Sequence, residues 1–225
     1  MHATFVRRQQ VAANTYTFWF APVRPVQYMA GQYTELFLPH VHADSRGERR
    51  WFSLSSSPTE PLLAITTVIS AASSTFKQTL HALSPGDDVQ LAEPMGDFVL
   101  PKNPAIPLMF IAAGIGISPV RSILRYVLDR HEQRPVQLFY QAHHKENVAF
   151  MPLLRRLHLP TTLFLSALGQ KIDTAQVLAS IKSCAQQPLV YISGPEKWVE
   201  KTAQKLSNGG VASEYLLADY FHGYD

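Results

Sequence analysis

Phe110-Ile111-Ala112-Ala113-Gly114-Ile115-Gly116-Ile117-Ser118-Pro119 is the stretch on which the reading of this 225-residue chain turns. An apolar run ends on two glycines, and a proline follows where the first turn of a helix is expected. Proline is tolerated there because its missing N–H would have no intrahelical partner. The pattern is therefore strand, tight turn, helix. Glycines in such a turn let the backbone approach a diphosphate without a side chain in the way, and the helix N-terminus adds partial positive charge. The spacing is not Gly-x-Gly-x-x-Gly, because position 119 is proline.

The same rhythm continues downstream. Buried strands are expected at 108–112, 136–140, 162–166, 189–192 and 214–217. Helices are expected to end near 130 and to cover 150–158, 174–183 and 196–206. Strands spaced by helices imply right-handed crossovers and a parallel sheet covered on both faces, and such sheets bind ligands at the carboxyl ends of their strands. Upstream the period changes to two, as in Thr15-Tyr16-Thr17-Phe18-Trp19-Phe20 and Tyr33-Thr34-Glu35-Leu36-Phe37-Leu38, which predicts antiparallel strands in a barrel or sandwich. One helix is expected within that half over 75–83, where Phe76, Leu80 and Leu83 recur at helical spacing behind a Ser74 N-cap. Pro101-Lys102-Asn103-Pro104-Ala105-Ile106-Pro107 suits neither a central strand nor a helix interior. The reading is two domains, an antiparallel β-barrel over 1–102 and an α/β domain over 103–225.

Composition narrows the function classes. Hydrophobic residues make up 46% and charged residues 16%, as in ordinary globular domains. The net charge of +3 is scattered, too thin for nucleic-acid binding. A single cysteine, Cys184, rules out an intrachain disulfide, a four-thiolate iron-sulfur cluster and a thiolate zinc site. Histidines at 40, 42, 143 and 144 read as solvated loop residues, and no metal is expected. The N-terminus lacks the apolar core of a secretory signal, and the 108–117 apolar run is about half the length of a membrane span. A cytoplasmic location without membrane insertion is expected.

Other segments carry chemistry. Arg50-Trp51-Phe52-Ser53-Leu54-Ser55-Ser56 puts a cation, rings and hydroxyls on one strand, with Arg50, Phe52 and Leu54 on one face and Trp51, Ser53 and Ser55 on the other, unless a turn intervenes. Ala72-Ser73-Ser74-Thr75-Phe76-Lys77 offers free N–H groups at a helix start. Val190-Tyr191-Ile192-Ser193-Gly194-Pro195-Glu196 again joins strand to helix through Gly-Pro. Asp219-Tyr220-Phe221-His222-Gly223-Tyr224 closes the chain.

Taken in order from Gly31 to Tyr224, these segments resemble the ferredoxin-NADP reductase superfamily, in its branch of flavin reductases and oxygenase reductase components. Arg50, Phe52, Ser53 and Ser56 resemble its Arg-x-Tyr-Ser-x-x-Ser, with phenylalanine for tyrosine. Gly114, Gly116, Ser118 and Pro119 resemble its Gly-Gly-x-Gly-Ile-Thr/Ser-Pro, with Ala113 at the first glycine. Ser193, Gly194 and Pro195 resemble its Cys-Gly-Pro.

The resemblance implies FAD, rather than FMN, held by Arg50 at the diphosphate, by Phe52 along the isoalloxazine, and by Trp51, Ser53, Ser56, Ser74 and Thr75. It implies NAD(P)H on Gly114, Gly116, Ser118, Pro119, Gly194 and Pro195, with Phe221 at the flavin–nicotinamide contact. Ser53, Ser193 and Asp219 are then the catalytic candidates. Hydride would pass from NAD(P)H to the flavin, and electrons onward to a ferredoxin-like protein, an oxygenase component or a ferric complex. A free-flavin reductase with exchangeable flavin and a non-catalytic nucleotide-binding module are the alternatives.

Overall fold

The structure is a computed structural model that describes residues 1–221; His222, Gly223 and Tyr224 of the terminal motif lie outside the described residues. The first half folds as β1 (His2–Ala12), β2 (Thr15–Pro22), β3 (Tyr33–Phe37), β4 (Arg49–Ser53), β5 (Leu63–Val68), α1 (Thr75–Ala82) and β6 (Asp88–Leu91). Its strands form one antiparallel six-stranded sheet in the order β4-β3-β6-β1-β2-β5. Period-two alternation sends Phe18 and Phe20 into the core with Phe5, Leu36, Leu54 and Ile65. Trp19 takes the other face, where the guanidiniums of Arg7 and Arg121 lie 4.8 and 5.7 Å from its ring. The helix α1 plugs this curled sheet with Phe76 and Leu80.

The sheet is barrel-like without a continuous closing ladder. β4 stops at Ser53, short of the 50–56 strand that alternation suggests, and the chain turns so that Leu54 pairs with Ile65 across the gap. The N–H groups of Ser55 and Ser56 then donate to the Ala64 carbonyl at 2.8 and 3.4 Å. Two edge strands are thereby joined at one point, which leaves the end of β4 open to a neighbour.

The second half contains β7 (Leu108–Ala113), α2 (Ile117–Asp129), β8 (Val136–Ala142), α3 (Met151–Arg156), β9 (Thr161–Leu165), α4 (Thr174–Ser183), β10 (Leu189–Ser193), α5 (Glu196–Asn208) and β11 (Leu216–Asp219). The strands are parallel, in the order β11-β10-β7-β8-β9. β7 is buried throughout; Leu108, Phe110 and Ala112 face the core under α2 and α3, while Met109 and Ile111 face the core under α4 and α5. The order reverses beside β7, where chain connections diverge and a crevice opens at the strand ends.

Two boundaries differ from the pattern reading. The last strand runs 216–219, because Ser213–Tyr215 form a 3₁₀ turn first. α3 is confined to six residues between Phe150 and His158, both in left-handed backbone at φ 62° and 48°. Periodicity does not report such backbone reversals. Among the described residues no helix is long and apolar enough to cross a membrane.

The two halves are clamped along α2. Arg121 forms an ion pair with Glu60 and donates to the Ser55 carbonyl at 2.8 Å, Ser122 Oγ donates to the Ser56 carbonyl, and Thr59 donates to Asp129 at 2.6 Å. Both members of the Arg121–Glu60 pair are mostly covered. Arg121→Ala strands the Glu60 carboxylate, so a loss on the order of 2–3 kcal/mol in unfolding free energy is expected. Urea unfolding of the variant at neutral pH measures it, with Arg125→Ala, whose partner Asp129 lies one turn away on the same helix, as the small-effect control.

Candidate functional site

The carboxyl ends of three strands converge between the two halves. Ser53 ends β4, Ser193 ends β10, and Asp219 ends β11 beside Ser193 in parallel register. Ser53 Oγ and Ser193 Oγ both donate to Asp219 Oδ2, at 2.9 and 3.0 Å. One carboxylate oxygen thus ties residues 53, 193 and 219 across the domain seam. Asp219 is 8% exposed. Burial pushes its pKa up to about 6, against the pull of the two serine hydrogen bonds and with a further push from Asp97.

This cluster lies on the wall of a cavity of about 350 Å³, within the range of ligand pockets. The barrel side supplies Trp51, Phe52, Ser53, Thr66, Thr67 and Lys77. The α/β side supplies Gly114, Gly116 and Ser118 from the β7 turn, and Ser193, Gly194 and Pro195 from the β10 turn, with Asp219 and Phe221 alongside. Of the sequence-derived candidates, these are the ones the fold brings together. The Trp51 ring meets Tyr33 edge-on, and Tyr33 meets Phe221 edge-on, at 5.5 and 5.4 Å between centroids. An aromatic rim thus runs from β4 to the last described residue.

The two glycines of the β7 turn do different work. Gly114 takes φ +54° with open space where a side chain would stand, so its backbone is reachable from the cavity. Tyr140 supports the turn from below by donating to the Gly114 carbonyl at 3.2 Å. Gly116 has an ordinary φ of −58°, but a Cβ there would lie 2.2 Å from the Ser193 carbonyl oxygen. Its missing side chain is required by the protein's own backbone. Ser118 Oγ donates to the Ile115 carbonyl at 2.9 Å and holds the turn closed.

Five candidates stand off the cavity wall. Ser56 is wholly buried; its Oγ shares a 2.9 Å hydrogen bond with the Tyr28 hydroxyl and accepts the Ala64 N–H at 2.9 Å. Pro119 is buried within α2. Ser74 caps α1, and the Thr75 hydroxyl donates to the His42 carbonyl at 3.0 Å. Arg50 points away into the 44–49 turn, where it bonds Asp44 and three carbonyls.

Lys77 was not singled out in the sequence. Its signal was present: a lysine in the first turn of a helix opposes the dipole, which asks for another reason to be there. Its ammonium is largely buried, and burial together with Arg46 and Arg50 lowers its pKa; among the described residues it has no hydrogen-bonding or ion-pair partner. His40 Nε2 is also buried and unpaired, its ring edge-on to Phe76. Thr66 and Thr67 carried no signal, since β-branched residues suit any strand. His143, hydrogen-bonded to Ser166 at 3.1 Å, is the histidine of the 143–144 pair that reaches the cavity. Among the described residues no three metal-ligating side chains gather.

Comparison with known proteins places this geometry. A family model of the oxidoreductase NAD-binding domain matches residues 110–204, spanning both glycine turns. Ferredoxin-NADP+ reductase from Plasmodium falciparum superimposes with a TM-score of 0.80 at 15% identity, over 98% of this chain and 95% of that one. The chain has the two-domain fold of a ferredoxin-NADP+ reductase. The reductase component of phenol 2-monooxygenase from Pseudomonas sp. (strain CF600) is 32% identical to this chain over 216 residues, covering 88% of it and 59% of the relative. The reductase component of propane 2-monooxygenase from Rhodococcus jostii (strain RHA1) is 24% identical over 219 residues, covering 89% and 58%. The chain therefore spans about three fifths of the length of these curated relatives.

Proposed function

We propose that the chain is an NAD(P)H-dependent flavoprotein reductase, taking hydride from the nicotinamide onto FAD and passing electrons to a separate acceptor such as an oxygenase component, a ferredoxin-like protein or a ferric complex. The observation that carries this reading is the joining of Ser53, Ser193 and Asp219 on one cavity wall, where a flat-walled barrel edge faces two glycine turns. The residues present fit both groups. A mostly buried Lys77 and a buried His40 nitrogen, both without a partner among the described residues, stand on the barrel side, and the open Gly114 backbone stands on the other. The division at 102/103, the cytoplasmic location and the assignment of Trp51, Phe52, Ser53 and Phe221 to flavin and of Gly114, Ser118, Gly194 and Pro195 to nucleotide belong to the same proposal.

Bound flavin supplies the electron chemistry, accepting a hydride and releasing electrons singly or in pairs. The chain supplies position and field. Asp219 fixes both serine rotamers by accepting a hydrogen bond from each hydroxyl, which leaves the hydroxyl oxygens on the cavity wall as acceptors. Its buried carboxylate favours the positive charge that a nicotinamide acquires on losing hydride. The aromatic rim of Trp51, Tyr33 and Phe221 excludes water from the barrel side.

The test is the absorption spectrum of the protein reconstituted with FAD, recorded before and after anaerobic NADH or NADPH. The flavin bands are expected to appear with the protein after gel filtration or dialysis against excess FAD, and to bleach on addition of the nucleotide. Bands that persist under excess of both nucleotides would refute hydride transfer. A free-flavin reductase is the second reading, and the arrangement of Arg50 favours it: its Nη2 donates to Asp44 at 2.6 Å, so a flavin diphosphate would have to compete for the guanidinium.

A further inference from the structure

We propose that Asp44 is a specificity-determining residue of the flavin site, an internal carboxylate that occupies Arg50 and makes the diphosphate half of FAD nearly dispensable for binding. The inference rests on the flavin reading and deepens it, since it names the class of flavin the site accepts.

Arg46, Arg50 and Lys77 gather at the start of α1, whose first N–H groups add partial positive charge. Asp44 faces the two arginines. Asp44 Oδ1 accepts from Arg50 Nη2 at 2.6 Å, and its Oδ2 accepts from Arg46 Nη2 at 2.7 Å. The hydrogen bonds from Arg46 hold its carboxyl low, at about 2, so it is ionised throughout the neutral range. Lys77 lines the cavity with Arg46 and Arg50 close enough to act on its charge, and an oxyanion is the chemistry that suits such a group.

Yet the fork of Arg50 is engaged. Its Nη1 donates to the carbonyls of Arg46, Gly47 and Arg49 at 3.0, 2.8 and 2.7 Å. Its side chain is 3% exposed, sandwiched against the Phe76 ring at 4.9 Å. The Thr75 hydroxyl pins the same segment to α1 through the His42 carbonyl. A phosphate group seeking Arg50 must first displace Asp44 and open this turn; a flavin without phosphate, resting on the Trp51–Ser53 wall alone, need not. The competition acts on FAD and leaves riboflavin untouched.

Titration of the purified, flavin-stripped full chain by flavin fluorescence quenching tests this, with FAD and riboflavin as paired probes. The wild type is expected to bind the two within about tenfold of each other. Asp44→Asn is expected to tighten FAD at least fivefold while leaving riboflavin within twofold, and Arg50→Ala in that background to abolish the gain. Thermal unfolding of each variant confirms that it is folded, and Asp44→Ala repeats the measurement without a hydrogen-bonding amide. An unchanged FAD-to-riboflavin ratio, or FAD binding that weakens in both Asp44 variants, overturns the proposal by showing that Asp44 merely orients Arg50. If neither flavin binds wild type or variant, the flavin reading falls and this inference falls with it.

Discussion

Gly116→Ala is expected to lower the thermal midpoint by roughly 6–12 °C and to reduce turnover at least tenfold, through a clash that involves no ligand. The added methyl would sit 2.2 Å from the Ser193 carbonyl oxygen, 2.4 Å from its carbon and 2.6 Å from the Gly194 nitrogen. All three are backbone atoms at the end of β10, so no rotamer change relieves the overlap. Overpacking typically costs about 1–3 kcal/mol, and a clash confined to backbone belongs at the upper end or beyond. For a chain of this size each kcal/mol shifts the midpoint by about 2–4 °C. The turn that must move carries Ser193, one of the two donors to Asp219, which is why turnover falls with stability. Gly114→Ala separates the two effects. A methyl there meets nothing within 4 Å, so only the left-handed backbone opposes it, at about 1–2 kcal/mol. Its methyl instead borders the cavity, and the expected change is a raised KM for NAD(P)H. Differential scanning calorimetry and steady-state kinetics on both variants check the contrast; equal midpoints would remove the structural role of Gly116.

That contrast marks where reading the sequence stops. Both glycines look alike in Gly114-Ile115-Gly116, and both suggest room for a diphosphate; only the approach of β10, some 77 residues away in the chain, shows that one is spent on packing. The parallel domain with helices on both faces was legible because β7 is buried on both faces and reads as an unbroken apolar run. The barrel half was legible from alternation, as at Phe18, Trp19 and Phe20, but its closure was not, because the turn after Ser53 depends on Ala64 offering its carbonyl. Arg50 illustrates the same limit. Alternation correctly places it on the face of Phe52 and Leu54, and the structure shows both it and Phe52 against Phe76. What no pattern announces is that Asp44, six residues earlier, folds back to meet it. Local periodicity reports which face a side chain takes; the partner it finds there is a property of loops.

Asp219→Asn is expected to stabilise the protein and to slow it, and the two changes should share one pH dependence. The carboxyl titrates near 6 in the fold, raised by burial from the ordinary 3.8. Between those values the folded chain holds a proton that the unfolded chain has released. Stability therefore falls as pH rises through this window and stays lower above it. Two pKa units correspond to about 2–3 kcal/mol, which the neutral amide of asparagine returns at pH 8 while its carbonyl oxygen still accepts from Ser53 and Ser193. The variant's thermal midpoint should accordingly be higher than the wild type's at pH 8, equal to it near pH 4, and flatter between. Catalysis should move the other way. If the ionised carboxylate favours the charge left on the nicotinamide, wild-type kcat declines as pH drops through about 6. The asparagine variant loses that limb and turns over roughly 10²-fold more slowly at pH 8. Asp219→Ala, which also removes the acceptor for both hydroxyls, should be slower still and lack the gain in stability, because two buried serines lose their partner. An asparagine variant that kept the wild-type rate at pH 8 would show that the cluster serves only to join the two sheets.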